Sequence, residues 1–145
     1  MFNIFKRKSK KTLYFAYGAN MSKRSMLLRC PSAVPVKPIY LTGYRLLFSH
    51  HATIEHDVES SVPGVLWSLT EDCVRKLDTQ EEYPTYYKKI FLRQGRDSFV
   101  AYQMNAPLNI NHRPTAKYTK LLEEGYADWD LDPQYLDDAL YYGIK

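Results

Sequence analysis

The apolar positions of the chain fall into short runs separated by glycine, proline and polar clusters, with both strand and helix periodicities represented. Leu13 to Tyr17 is an uninterrupted apolar run ended by Gly18, the pattern of a buried strand entering a tight turn. Ser22 then stands where a helix cap is needed, with Met26, Leu27 and the aliphatic stem of Arg29 following and Cys30-Pro31 closing the segment. From Val34 to Phe48 the β-branched and aromatic content predicts two strand segments, Val34 to Thr42 and Tyr44 to Phe48, broken by Gly43; Pro35 and Pro38 put the first near a sheet edge. The polar stretch from His50 to Ser61 reads as a loop with a brief extended piece at Ala52-Thr53-Ile54, and Pro63 to Leu69 as the next strand. Thr70 followed by Glu71 and Asp72 marks the start of a short helix, with Val74 and Leu77 inward and an end near Asp78. Tyr86 to Arg93 and Ser98 to Met104 form a hairpin around Gln94-Gly95-Arg96-Asp97. Two helices close the chain, one from about Pro114 to Glu124 stopping at Gly125, the other capped by Asp132 with Pro133 as its first residue. A strand-rich middle with inserted and appended helices predicts an α+β (mixed) domain, a small barrel-like mixed sheet flanked by short helices.

Composition narrows the class. At 145 residues the chain can bury a core without staples, and it reads as one domain over 12–145 preceded by a flexible basic tail over 1–11. The net charge of +4 belongs to that tail: Lys6, Arg7, Lys8, Lys10 and Lys11 account for five of the 20 basic residues, and removing them leaves a remainder of −1. A basic leader of this kind is usually solvated, so the charge argues neither for nucleic-acid binding by the domain nor for firm membrane attachment. No apolar run approaches a membrane span, and Met1 to Phe5 is too short and polar for a signal-peptide core. Cys30 and Cys73, far apart in sequence, read as two reduced, partly buried thiols, and a cytoplasmic location follows from that reading.

Two segments carry candidate chemistry. In Tyr14-Phe15-Ala16-Tyr17-Gly18-Ala19-Asn20-Met21 a glycine and small residues join a buried strand to a helix, where successive N–H groups can converge on a carboxylate or phosphate; an ordinary strand-to-helix turn accounts for the same residues. In Leu77-Asp78-Thr79-Gln80-Glu81-Glu82-Tyr83-Pro84 two adjacent carboxylates stand beside aromatic and proline residues, so one could sit in a low-dielectric pocket as a general base; a solvated acidic loop is the alternative. His50, His51, His56 and His112 have no recognised metal spacing, and no metal or other cofactor is expected. The acidic stretch from Glu123 to Asp138 reads as a solvated face.

Taken together and in order, these segments resemble the signatures of the gamma-glutamyl cyclotransferase-like family. Phe15 to Met21 is similar to that family's Tyr-Gly-Ser-Asn loop at the end of a Phe-Ala-Tyr strand, and Gly64-Val65-Leu66-Trp67 with Leu77 to Glu81 is similar to its Gly-Val-Leu-Trp strand and Leu-Asp-x-x-Glu-Gly segment. Tyr44 to Phe48, Ala52 to Ile54, Tyr86-Tyr87, Tyr118, Gly125 and Tyr135 extend the resemblance over about positions 12 to 140. There are two departures. Ala19 replaces the usual serine, which removes a hydroxyl and leaves the backbone N–H groups; Glu82 replaces the usual glycine, and it either raises the pKa of Glu81 by repulsion or points to solvent.

The resemblance implies an enzyme that cyclises a gamma-glutamyl amide or gamma-glutamyl amino acid to 5-oxoproline and releases the amine. It implies Glu81 as general acid and base, the loop Tyr17, Gly18, Ala19 and Asn20 as the binder of the substrate carboxylate, and Tyr87 or Tyr118 as a hydrogen-bond donor in the pocket. The alternative is a protein that binds a small carboxylate or a peptide end on the same fold without turning it over. A third reading keeps the enzyme and lets the basic tail steer a larger anionic substrate. The leaving amine and the oligomeric state are not encoded in any motif of the sequence.

Overall fold

The protein is described by a computed structural model over residues 10–141. Most of the expected tail therefore lies outside the described residues. The elements run in the order β1 (Thr12–Ala16), a 3₁₀ turn (Ala19–Met21), α1 (Lys23–Arg29), β2 (Val34–Ser49), β3 (His51–Leu69), α2 (Glu71–Gln80), β4 (Tyr87–Gln94), β5 (Asp97–Met104), α3 (Ala116–Asp128) and α4 (Gln134–Tyr141).

The five strands make one mixed sheet in the order β2-β3-β1-β5-β4, in which only the β1–β5 pair is parallel. The apolar run at Leu13 to Tyr17 earns the central position: residues covered on both sides have no polar face to present to water. Phe15 and Ala16 are fully buried, as are Met21, Met26, Leu66 and Trp67 around them. Because β1 and β5 run the same way, the loop that leaves β1 and the end of β5 arrive at the same rim of the sheet.

The sheet curls until its two edges meet through side chains. Gln94 on β4 accepts the Thr42 N–H of β2 (2.9 Å) and donates to the Tyr40 carbonyl (2.9 Å), so one carboxamide stands in for a pair of strand hydrogen bonds. Lys37 and Asp97 pair beside it at 2.8 Å. The expected α+β class with a small barrel-like sheet and short flanking helices is what these elements build.

Several local expectations are corrected. The segment from His50 to Ser61 is not a loop: β2 and β3 form one long hairpin that reverses at His50 (φ 70°), with Leu46 opposite Ile54 and Leu47 opposite Thr53. Its polar composition misleads because part of this hairpin faces solvent, where His56, Val58 and Glu59 are exposed. Gly43 (φ 85°) does not separate two strands either. It marks a bulge, where the register passes from Thr42 opposite Ser61 to Tyr44 opposite His56. α2 runs two residues beyond the expected end, capped by the Thr70 hydroxyl accepting from the Cys73 N–H at 3.1 Å. α3 does not stop at Gly125 but continues to Asp128; a Cβ at Gly125 would stand 2.7 Å from the Met21 Cβ, so this glycine serves close packing on the 3₁₀ turn. The cap of α4 is as read: Asp132 accepts from the Gln134 N–H at 3.0 Å.

The largest correction concerns the cysteines. Cys30, at the end of α1, and Cys73, in α2, form a disulfide with Cα atoms 5.5 Å apart, and both are buried. Forty-three residues of chain separation conceal that the two helices meet in space. The expectation of reduced thiols falls, and with it the ground for reading a reducing compartment from the sequence.

Two outcomes are expected. Thiol titration of the unfolded, unreduced protein detects no free sulfhydryl, and reduction lowers unfolding stability by about 4 kcal/mol, the chain-entropy value for a loop of this length. Gly125→Ala destabilises the protein by about 1–2 kcal/mol in urea denaturation, because overpacking against Met21 outweighs the gain in helix propensity.

Candidate active site

Three chain reversals and two helix ends converge at the rim where β1 and β5 finish. β1 delivers Tyr17, and the turn after it presents Gly18, Ala19 and Asn20. Gly18 faces the hydroxyl of Tyr118 from α3: a Cβ there would stand 3.2 Å from that oxygen. Ser22 caps α1 by accepting from the Ser25 N–H at 3.1 Å and is itself bonded to Glu124 of α3, so the turn is fastened on its far side. α2 ends at Glu81, whose N–H closes the last helical turn on the Leu77 carbonyl at 2.9 Å. The tip of the β2–β3 hairpin brings His51 and Ala52, and the start of β4 brings Tyr86 and Tyr87.

These groups enclose a cavity of about 230 Å³, smaller than the pockets that take drug-sized ligands and suited to an amino-acid head group. All seven residues expected at the site line it: Tyr17, Gly18, Ala19, Asn20, Glu81, Tyr87 and Tyr118. Tyr14, Arg29, His51, Tyr86 and Tyr102 line it too and were not anticipated. For Arg29 the signal was present. It stands three residues after the buried Met26, on the same side of α1, and a guanidinium there must find polar company.

The hydrogen bonds divide the tyrosines by what their hydroxyl protons do. Tyr17 donates to the Tyr102 carbonyl (2.5 Å) and Tyr87 to the Ala52 carbonyl (2.6 Å), so both protons are spent on backbone. Tyr118 instead accepts from the Ala52 N–H at 3.1 Å, and Tyr14 accepts from Asn20 Nδ2 at 3.1 Å. Their own protons remain to be given to something in the cavity. Burial raises the pKa of all four phenols, so they stay neutral donors throughout the physiological range.

Glu81 is the titratable centre. Burial pushes its pKa up to about 7, with Arg29 pulling in the opposite direction. Its place at the end of α2, where carbonyl groups point outward, further disfavours a negative charge. Asn20 Nδ2 reaches it at 3.5 Å, and the Oδ1 of the same amide takes a hydrogen bond from Arg29, so one carboxamide spans from the cation to the carboxyl. Of the two readings of Glu82, exposure is the one observed. Burial and Arg29 account for the state of Glu81 without its neighbour, and Glu82 adopts left-handed backbone (φ 51°), the conformation glycine takes at no steric cost.

Comparison with known proteins bears on the family and the fold. The family model described as gamma-glutamyl cyclotransferase, AIG2-like, matches residues 14–130. Gamma-glutamylcyclotransferase of Mus musculus is 28% identical, across 85% of this chain and 74% of its own length, and that of Bos taurus is 27% identical over the same shares. A solved structure named gamma-glutamyl cyclotransferase superposes with a TM-score of 0.76 at 25% identity, covering 90% of this chain and 86% of the other.

The raised pKa of Glu81 has a consequence for stability. Above the ordinary carboxyl value of 4.5 the unfolded chain loses this proton while the folded chain keeps it, so Glu81 erodes stability as pH rises from 4.5 to about 7. Glu81→Gln removes that penalty. Urea denaturation across pH is expected to find the variant as stable as the wild type near pH 4, and more stable by up to about 3 kcal/mol at pH 8.

Proposed function

Because the chain belongs to the gamma-glutamyl cyclotransferase, AIG2-like family, we propose that it cyclises a gamma-glutamyl amide or gamma-glutamyl amino acid to 5-oxoproline with release of the amine. The observation that carries this reading is Glu81, a carboxyl with a pKa of about 7 on the wall of a cavity sized for an amino-acid head group.

The chemistry asks little of the protein beyond that group. The nucleophile is the substrate's own α-amine, and the cavity enforces the folded conformer in which that nitrogen lies against the γ-carbonyl carbon. Ionised Glu81 takes a proton from the α-ammonium. The freed amine attacks the γ-carbonyl, a C–N bond closes the five-membered ring, and the carbonyl oxygen takes up negative charge. Tyr14 and Tyr118, whose hydroxyl protons have no acceptor among the described residues, are suited to stabilise that oxygen. Glu81 then returns the proton to the departing nitrogen, the old C–N bond breaks to release the amine, and the second proton of the ring nitrogen passes through the regenerated carboxylate to that amine, leaving a neutral lactam and an ammonium. No water is consumed. Ala19 fits the scheme because carboxylate recognition by this turn uses backbone N–H groups, which an alanine supplies as well as a serine.

Incubation with a panel of gamma-glutamyl amino acids and amines, followed by quantification of 5-oxoproline, tests the proposal. At least one member is turned over, and Glu81→Gln lowers the rate by about 10²- to 10⁴-fold while keeping the fold. A fully active Glu81→Gln would defeat it. Because the base must be ionised, kcat/KM of the wild type rises with pH through about 7 and levels off above it.

A further inference from the structure

The strand order puts the cavity at the rim where β1 and β5 finish, and the opposite rim has a different character. There β1 begins, with Lys10 and Lys11 leading into Thr12, and there β4 turns into β5 through Arg93, Arg96 and Asp97. The end of β3 lies beside them, Leu69 pairing with Thr12, and so does the start of β2, with Val34 opposite Ser68. Lys10, Lys11, Arg93 and Arg96 are exposed, and among the described residues none has a carboxylate within ion-pair distance. Of the acids where elements begin at this rim, Asp97 pairs with Lys37 and Asp72 with Arg75 and Lys76, which leaves Glu71. Asp132, which the Tyr40 hydroxyl brings toward the flank of β2, is engaged in capping α4. The same rim carries apolar surface: Val34, Pro35 and Val36 are all exposed.

We propose that this rim docks on an anionic lipid bilayer, with the N-terminal segment as a second attachment to the same surface. The segment enters the domain at this rim, and its sequence places Phe2, Ile4 and Phe5 ahead of Lys6, Arg7 and Lys8. A short apolar and basic segment alone binds such a surface weakly, and stable attachment takes two signals. The fold supplies the second, because the parallel pairing of β1 with β5 brings Arg93 and Arg96 to the place where the basic run ends. Charge alone would suit any polyanion. Phe2, Ile4 and Phe5, with Val34 and Val36 on the domain, favour a bilayer, whose interface takes up apolar side chains beneath its phosphates. Docked in this way the protein holds its cavity away from the lipid, since the five residues of β1 span about 17 Å between the two rims. The cavity mouth stays open to water and to small substrates, and the proposal stands whatever reaction the cavity performs.

Co-sedimentation of the full chain with vesicles tests this, using phosphatidylcholine alone or mixed with phosphatidylserine. Wild type is expected to sediment with the mixed vesicles and to stay in solution with phosphatidylcholine, and added salt releases it. Arg93→Gln combined with Arg96→Gln lowers the partition coefficient by about 10- to 30-fold, each charge at an anionic surface being worth about fivefold. Phe2→Ser combined with Phe5→Ser lowers it by about 10-fold or more. Thermal melting confirms that each variant is folded. Sedimentation with neither vesicle, or equally with both, overturns the proposal. Undiminished binding by the Arg93 and Arg96 double variant overturns it as well, because the domain's rim would then take no part. Tighter binding to duplex DNA than to the mixed vesicles at equal salt also overturns it and makes the rim a nucleic-acid surface.

Discussion

Everything at the site depends on keeping one carboxyl group away from water without giving it a close counter-ion. A carboxylate removed from water ionises only at a cost of several kcal/mol unless a cation compensates, and a cation in direct contact would drive its pKa far below neutrality. Glu81 sits between these limits because Asn20 stands between it and Arg29. Six tyrosines line the same cavity, Tyr14, Tyr17, Tyr86, Tyr87, Tyr102 and Tyr118, and the choice of residue has a physical reason. Phenylalanines would dry the cavity and leave nothing to hold a polar substrate. Charged residues would fix the protonation state of Glu81 from outside. Neutral phenols held by burial in their protonated form supply dipoles without net charge.

The sheet exists in a form that makes this arrangement possible. Parallel pairing of β1 with β5 brings the end of β1, where the binding turn begins, to the rim where Tyr102 and Met104 lie. The long β2–β3 hairpin reaches the same rim only because it breaks register at Gly43, so that its outer half can contribute His51 and Ala52. The Met104 N–H donates to the Thr53 hydroxyl at 2.9 Å and locks that outer half onto β5. A slip of one residue in the hairpin would turn Ala52 away from the two tyrosines it serves, since strand side chains and backbone groups alternate in direction. The site is therefore as sensitive to strand register as to the residues that line it.

What was legible in the sequence was whatever is carried by contiguous residues. The strand, turn and helix around Gly18 can be read because their signals are adjacent, and Thr70 with Glu71 and Asp72 announces α2. The role expected of Glu81 came from resemblance. Its own neighbourhood in sequence fits a solvated loop equally well, because burial of a carboxyl is a property of the folded surroundings. Tyr14 and Tyr102 could not be placed for the same reason: each meets the cavity through partners from other elements, whereas the spacing of Arg29 from the buried Met26 did carry a signal. Gly125 was misread since a glycine late in a helix signals both a stop and a close packing contact, and only the position of Met21 distinguishes them. The polar half of the β2–β3 hairpin was taken for a loop because strand backbone can be fully paired whatever its exposed side chains are.

The distribution of charge around the cavity bears on the direction of the proposed cyclisation. The inner wall is built from Tyr14, Tyr17 and Asn20, all buried, whereas Gln80 and Glu82 at the end of α2 are exposed. A head group bound inside would therefore have its charged groups in the low-dielectric part, where Arg29 and Glu81 act most strongly. In the proposed cyclisation the departing amine would face the exposed end. In that scheme the amine, having taken up the second proton that the ring nitrogen sheds, would be a cation beside Glu82 and open solvent, while 5-oxoproline would lack the ammonium that the carboxyl recognised. Both products of the proposed reaction would be less well matched to the site than the substrate, an asymmetry that favours their release over the reverse condensation.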